Sequence, residues 1–417
     1  MLSEEMKNLD FFAFIPKNRK WSDACFAIGC LFVFLSFSNV FSLQGYLVLP
    51  AILFLLIGEA LYDSFRFELN FPLLIAFGLT YCFFSWLNGL FDPRQVIYFV
   101  VFPPVIYVLA QQTRRTNDKR LLFFLVAAAL GFFASSVFLA VGTTLVAGLN
   151  LGKGQPLFSI VDLDAPISRT GISLYLSPIF ALSLWTLLFW KENDKRTRIF
   201  ARVLALLILA VEAYWVLFIG NRAPLVSFGL VALIFWIIKI YESKSATFRN
   251  VSIAVITIAG IMAFLLVTGL VPDFIKKIPV FRRIILGGSD SARLNLYVQF
   301  FTNFWRYPFG GLFVCIDDYW IHMFWLDIYN LTGIVPFALF SYLLCVTSYR
   351  YVLSQRPLRF SRPSGNAMFA CLLSIFALGL FEPLFSANPL TLIFFAALFG
   401  YAPKRTIGKL PRWRLTI

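Results

Sequence analysis

His322 is the only histidine in this chain of 417 residues. It stands in DDYWIHMFWLDIYNLTG, with Asp317 and Asp318 before it and Asp327 after it. An imidazole both accepts and gives a proton near neutral pH without help from its surroundings. His322 is therefore the natural candidate for a general base. If the stretch from Asp318 is helical, Asp318 lies one turn before His322 and orients it. Asp327 falls inside the apolar run that follows, an expensive place for a carboxylate and a functional candidate for that reason. Helix packing against a nearby Tyr or Arg is its plainer alternative.

Three arginines stand out, and Arg222, alone in a minimal turn, has the fewest structural duties. Arg169 opens an apolar run in SRTGISLYLSP, Arg222 sits in the minimal turn GNRAPLVSF, and Arg293 follows Ser289, Asp290 and Ser291 in GGSDSARLNLYVQFF. Snorkelling to lipid headgroups is the plainer role of such cations, and it suits Lys276, Lys277, Arg282 and Arg283. A guanidinium fork, however, matches phosphate oxygens better than any other side chain. A general base beside an arginine clamp fits glycosyl transfer from a lipid-linked diphosphate sugar. The base takes a proton from the acceptor hydroxyl, and the arginines stabilise the departing diphosphate. The six cysteines show no metal-ligand spacing and no clear disulfide pair, so the expected chemistry uses neither a metal nor a cofactor.

The elements that position these residues follow from composition. Hydrophobic residues make up 60% of the chain and charged residues 14%, with mean hydropathy +0.80 and 50 phenylalanines. A soluble domain carries about 25% charged residues. In lipid only helices and closed barrels satisfy their own backbone, and continuous apolar runs near twenty residues favour helices. The fold class expected is all-α: a polytopic membrane bundle of about 12 transmembrane helices. Residues 1–21 form an inward N-terminus, 22–271 nine helices, 272–323 a long outer loop with short interfacial helices, 324–401 three helices, and 402–417 an inward tail. The expected spans include a tilted or partial one at 96–110 and one over 324–348, and 147–170 is a second long outer loop. The opening MLSEEMKNLD lacks the pattern of a cleavable leader.

Alternating sides along these spans places 26 of the 36 Lys and Arg on one side and 10 on the other. That is the positive-inside bias, and it puts both termini in the cytoplasm. The net charge of +15 is punctuation between apolar runs, which argues for membrane lipids as partners and against nucleic acid.

From Arg169 to the C-terminus the sequence resembles the O-antigen polymerase/ligase family. The Arg222 turn, the Arg293 helix and His322-x10-Gly333 entering a span follow the family order, with Glu382 and Asn388 of FEPLFSANPL at positions often polar there. Met323 departs from the pattern, since the residue after the histidine is usually a small amide or hydroxyl. The resemblance implies a bundle of the glycosyltransferase-C type in the bacterial inner membrane, with its active site periplasmic. It implies His322 as catalytic base, diphosphate binding by Arg222, Arg293 and Arg169, and support from Asp318, Asp327 and Glu382. The implied donor is an undecaprenyl-diphosphate-linked oligosaccharide, and a chain-length regulator is an implied partner. A polymerase uses a second lipid-linked unit as acceptor, whereas a ligase uses lipid A-core; the acid at Asp327 favours the polymerase. Two rivals stand beside this reading. A flippase of lipid-linked sugars would show charges buried at membrane depth, for which Glu59 and Asp327 are the main candidates. Shape and division peptidoglycan polymerases would show an acidic outer-loop signature that this chain lacks.

Overall fold

The structure, a computed structural model, describes residues 17–40, 44–63, 68, 70–116, 119–148, 157–167, 169–190, 194–219, 222–243, 245–268, 270–278, 281, 291–314, 321, 323–354, 363–380, 382 and 384–402. These residues are all-α apart from one small hairpin. The helices are α1 (Arg19–Ser38), α2 (Gln44–Tyr62), α3 (Asn70–Leu87), α4 (Phe102–Thr116), α5 (Arg120–Ala147), α6 (Arg169–Leu188), α7 (Lys195–Ile219), α8 (Arg222–Glu242) and α9 (Ala246–Val267). They are followed by α10 (Asp273–Lys276), α11 (Ser291–Asn303), α12 (Phe324–Thr332), α13 (Ile334–Ser354), α14 (Pro363–Gly379), α15 (Leu384–Ala387) and α16 (Leu392–Tyr401).

Among the described residues, six helical stretches are long and apolar enough to cross a membrane: Arg19–Ser38, Asn70–Leu87, Val96–Arg115, Arg120–Val146, Lys195–Leu217 and Ala223–Tyr241. Shorter apolar helices occupy the other six positions where the sequence places spans. The outward faces carry large apolar side chains such as Leu31, Leu53, Leu79, Phe123, Leu207 and Phe264. A surface of that kind suits lipid as solvent, not water.

Local chemistry sets the ends of these helices. The Asn18 side chain accepts from Trp21 N at 3.3 Å and starts α1, and Asn39 ends it in the left-handed region at φ 50°. Between α3 and α4 the chain enters through a π-helical turn, Val96–Val101. Gly78 on α3 allows this turn to approach, because a Cβ there would collide with the Phe99 carbonyl.

The centre of the bundle is its last apolar helix. All ten residues of α16 are buried, with α16 packed on α4, α13, α14 and α3. Around Phe395 stand the rings of Phe324 (5.4 Å between centroids), Phe340 (5.4 Å) and Phe385 (5.6 Å).

Three expectations change on contact with the structure. The span expected over 324–348 is broken at Gly333 into α12 and α13. The loop expected over 147–170 contains an antiparallel hairpin, β1 (Leu157–Ser159) with β2 (Asp162–Ile167). It is tied to α5 where Phe158 N donates to Thr143 Oγ1 at 2.9 Å. The expected partial span at 96–110 is a π turn continued by α4.

One end of the bundle is closed by ion pairs. Arg120, the first residue of α5, donates to Glu59 Oε1 (3.0 Å), Asp23 Oδ1 (2.6 Å) and Ser22 Oγ (2.7 Å). Its guanidinium also lies 4.0 Å over the Tyr62 ring. Nearby, Arg114 of α4 bonds both Glu68 and the Ala402 carbonyl. Glu59, which the sequence offered as a membrane-depth charge, is thereby a structural partner of Arg120.

Candidate functional site

Three of the residues singled out for chemistry stand at helix starts. Arg169 is the first residue of α6, Arg222 the first of α8, and Arg293 the third of α11. Each stands in the first turn of its helix. A cation there opposes the positive end of the helix dipole, which costs roughly 0.3–1 kcal/mol per helix. An anion at a helix start would instead meet the backbone N–H groups that the first turn leaves free.

Two of these helix starts are neighbours. Helices α6 and α8 pack side by side, with Phe180 and Phe228 stacked at 4.0 Å. Leu176 on α6 and Phe228 on α8 share a buried cluster with Leu139, Trp215 and Val216. Arg169 and Arg222 begin their helices about two turns beyond that cluster.

Helix α11, which carries Arg293, packs by its later turns against Ile321 and α12. Leu296, one turn from Arg293, is buried in one cluster with Ile321, the residue before His322. Phe300 of α11 and Tyr329 of α12 lie in the same cluster, their rings at 5.4 Å. His322 and Asp318 themselves lie outside the described residues. The two groups of helices are linked by α15, which packs on both α12 and α6.

What fixes α12 is a backbone knot. Gly333 has φ 80°, and a Cβ there would collide with the Pro308 carbonyl oxygen. The turn at 307–312 grips the broken helix through Ile334 N to Pro308 O (2.8 Å), Gly311 N to Leu331 O (3.2 Å) and Leu312 N to Asn330 O (2.9 Å). Asn88, just past α3, donates to Phe309 O (2.8 Å) and Leu331 O (3.0 Å) and so ties the turn to α12. In the same connection, the side-chain hydrogen bond from Arg94 holds the Asp92 carboxyl below the usual carboxylate range.

Asp327 is buried on α12, near enough to Tyr81 of α3 for electrostatic interaction. Glu382 is also buried. Asn388 bonds the Tyr175 side chain on α6 and caps the turn Pro389–Thr391, accepting from Leu390 N at 3.1 Å. Beside it, α6 and α14 are joined where Ser374 Oγ donates to Ser177 O at 2.8 Å. Among the described residues no group of His, Cys, Asp and Glu is arranged to hold a metal.

No protein-family model matches this chain, and no match was found among curated proteins or among solved structures. The site is therefore argued from its own geometry.

Two residues join the candidates that spacing did not single out. Asn88 gives no sequence signal, because its partners lie more than two hundred positions away. Glu212 does give one, as the lone acid of LLILAVEAYWVLF. It is fully buried on α7, and neither carboxylate oxygen has a hydrogen-bond partner among the described residues.

Proposed function

We propose that this chain is a bacterial inner-membrane glycosyltransferase. It polymerises undecaprenyl-diphosphate-linked oligosaccharide repeat units into O-antigen or a related surface polysaccharide at the periplasmic face. In this reading twelve helices span, both termini are cytoplasmic, and the Arg222 end faces the periplasm. The observation that carries the proposal is the placement of Arg169, Arg222 and Arg293 in the first turns of three helices. Such an arrangement is unfavourable alone and favourable around a multiply charged anion. The shared cluster of Leu296 and Ile321 supports a histidine working beside that anion.

The step balances as follows. The imidazole of His322 takes the proton of the acceptor hydroxyl as its oxygen bonds to the donor's anomeric carbon. The bond from that carbon to the diphosphate oxygen breaks, and the undecaprenyl diphosphate leaves with the bonding electrons. Arg222, Arg293 and Arg169 stabilise the charge that develops on it. Asp318 orients the imidazole, and Asp327 and Glu382 support the site. The ligase alternative uses the same chemistry with lipid A-core as acceptor.

A second reading has two observations in its favour. The buried carboxylate of Glu212, without a hydrogen-bond partner among the described residues, and the helix broken at Gly333 are features of carriers, which keeps a flippase of lipid-linked sugars in view.

The test is replacement of His322. A positioned base contributes about 10²–10⁴-fold, so His322→Ala should abolish long glycan at unchanged protein level, and His322→Gln should not restore it. Wild-type activity should survive a chelator. A stable His322→Ala variant that still makes normal glycan removes the base and leaves the carrier reading.

A further inference from the structure

A groove of about 400 Å³ lies between α5, α6 and α7, away from the candidate site. It opens at the Arg120 end of the bundle, where Lys119 precedes α5, Trp190 follows α6 and Lys195 begins α7. Its walls are apolar: Leu122, Val126 and Leu130 on α5, Ile179 and Leu182 on α6, and Ile208 on α7. From Lys119 to Leu130 the helix rises about 16 Å, close to the roughly 15 Å of hydrocarbon in one leaflet.

Two polar features say what should fill it. The Trp185 side chain lines the groove, is 6% exposed, and has an indole N–H with no hydrogen-bond partner among the described residues. It stands about 7 Å deeper than Trp190, which is below a headgroup. Lys119 lines the mouth and is exposed, and α7, whose Ala201 and Leu204 line the groove, carries exposed Lys195, Arg196 and Arg202 near its start. The nearby carboxylate of Asp194 is engaged in capping α7, accepting from Thr197 N at 2.9 Å and Arg196 N at 3.3 Å.

We infer that this groove binds an anionic phospholipid, with one acyl chain along its apolar walls and its phosphate on Lys119. The ester carbonyl below the phosphate accepts from the Trp185 indole N–H. The surplus of cations at the mouth selects a lipid of net negative charge over a zwitterionic one. This site does not depend on the glycosyl-transfer reading.

The test is native mass spectrometry of the full-length protein after equilibration in mixed micelles of phosphatidylglycerol and phosphatidylcholine. Phosphatidylglycerol should be retained preferentially. Lys119→Gln should lower that preference about fivefold, the worth of one cation at an anionic surface. Ala205→Trp should fill the groove and abolish retention. Lys277→Gln, outside the groove, should change nothing. Since Lys119 is exposed, its variant keeps the test informative even if Ala205→Trp fails to fold. Equal retention of both lipids, undiminished binding to folded Ala205→Trp, or displacement by inorganic phosphate would each overturn the proposal.

Discussion

Arg120 and Arg222 both open a helix, and in our account they are neutralised in different ways. At Arg120 the misplaced cation is answered from within: Glu59, Asp23 and Ser22 take its N–H groups and Tyr62 covers its face. The same placement recurs three times, at Arg169, Arg222 and Arg293. In our account the answering charge there comes from outside, as the diphosphate of a lipid-linked sugar. A first-turn arginine thus has two solutions, a lock made of internal carboxylates or a cradle for an anionic ligand. The difference teaches that position alone does not make an arginine functional; what neutralises it does.

The comparison breaks most readily at the lock. Removing one partner of a buried ion pair costs about 3–5 kcal/mol, because the remaining charge is stranded. Glu59→Ala should therefore lower the thermal midpoint of the purified protein markedly, while folded molecules keep their glycan-forming activity. An activity loss without destabilisation would place function at the Arg120 end.

Gly333 sharpens the other side. Its φ of 80° and the Pro308 carbonyl leave no room for a side chain, so Gly333→Ala should cost at least about 1–3 kcal/mol. Because the knot holds α12 after His322, activity should fall further than the loss of folded protein accounts for. Glycan formation falling only in proportion to folded protein would mean that the knot is scaffold alone.

The smallest effect is expected at Glu212. Under glycosyl transfer, Glu212→Gln keeps its volume and leaves glycan length distribution close to wild type. Under the carrier reading the same change stops transport of lipid-linked sugars. A reconstituted polymerisation assay beside a flipping assay in vesicles separates the two.

Much of this comparison was legible in the sequence. The absence of charge across long runs dictated helices, and the clustering of Lys and Arg in alternate connections gave a consistent sidedness. Gly333 could be marked by the family resemblance, which implies a glycine at this distance after His322. Its reason could not, because the carbonyl that excludes a side chain belongs to Pro308, twenty-five positions earlier, in a turn whose partner is chosen only by folding. For the same reason Asn88 was invisible. The hairpin at Leu157–Ile167 was missed because β1 is three residues long and its anchoring hydroxyl, Thr143, lies inside a preceding helix. The apolar run at the end of the chain looked like one more lipid-facing span. Periodicity says nothing there, since a run that is apolar all round can face lipid or fill the centre, and α16 fills the centre.

The most direct test of the central claim is the affinity of the purified full-length protein for a short-chain prenyl diphosphate, measured at fixed ionic strength. Stranding or removing one member of a charge-paired contact costs about 2–5 kcal/mol. The account predicts that Arg222→Ala and Arg293→Ala each weaken binding by at least tenfold and that Lys at either position restores part of it. Glu59→Ala, at temperatures where it stays folded, should leave binding unchanged. Undiminished diphosphate binding to folded Arg222→Ala and Arg293→Ala proteins would contradict the account.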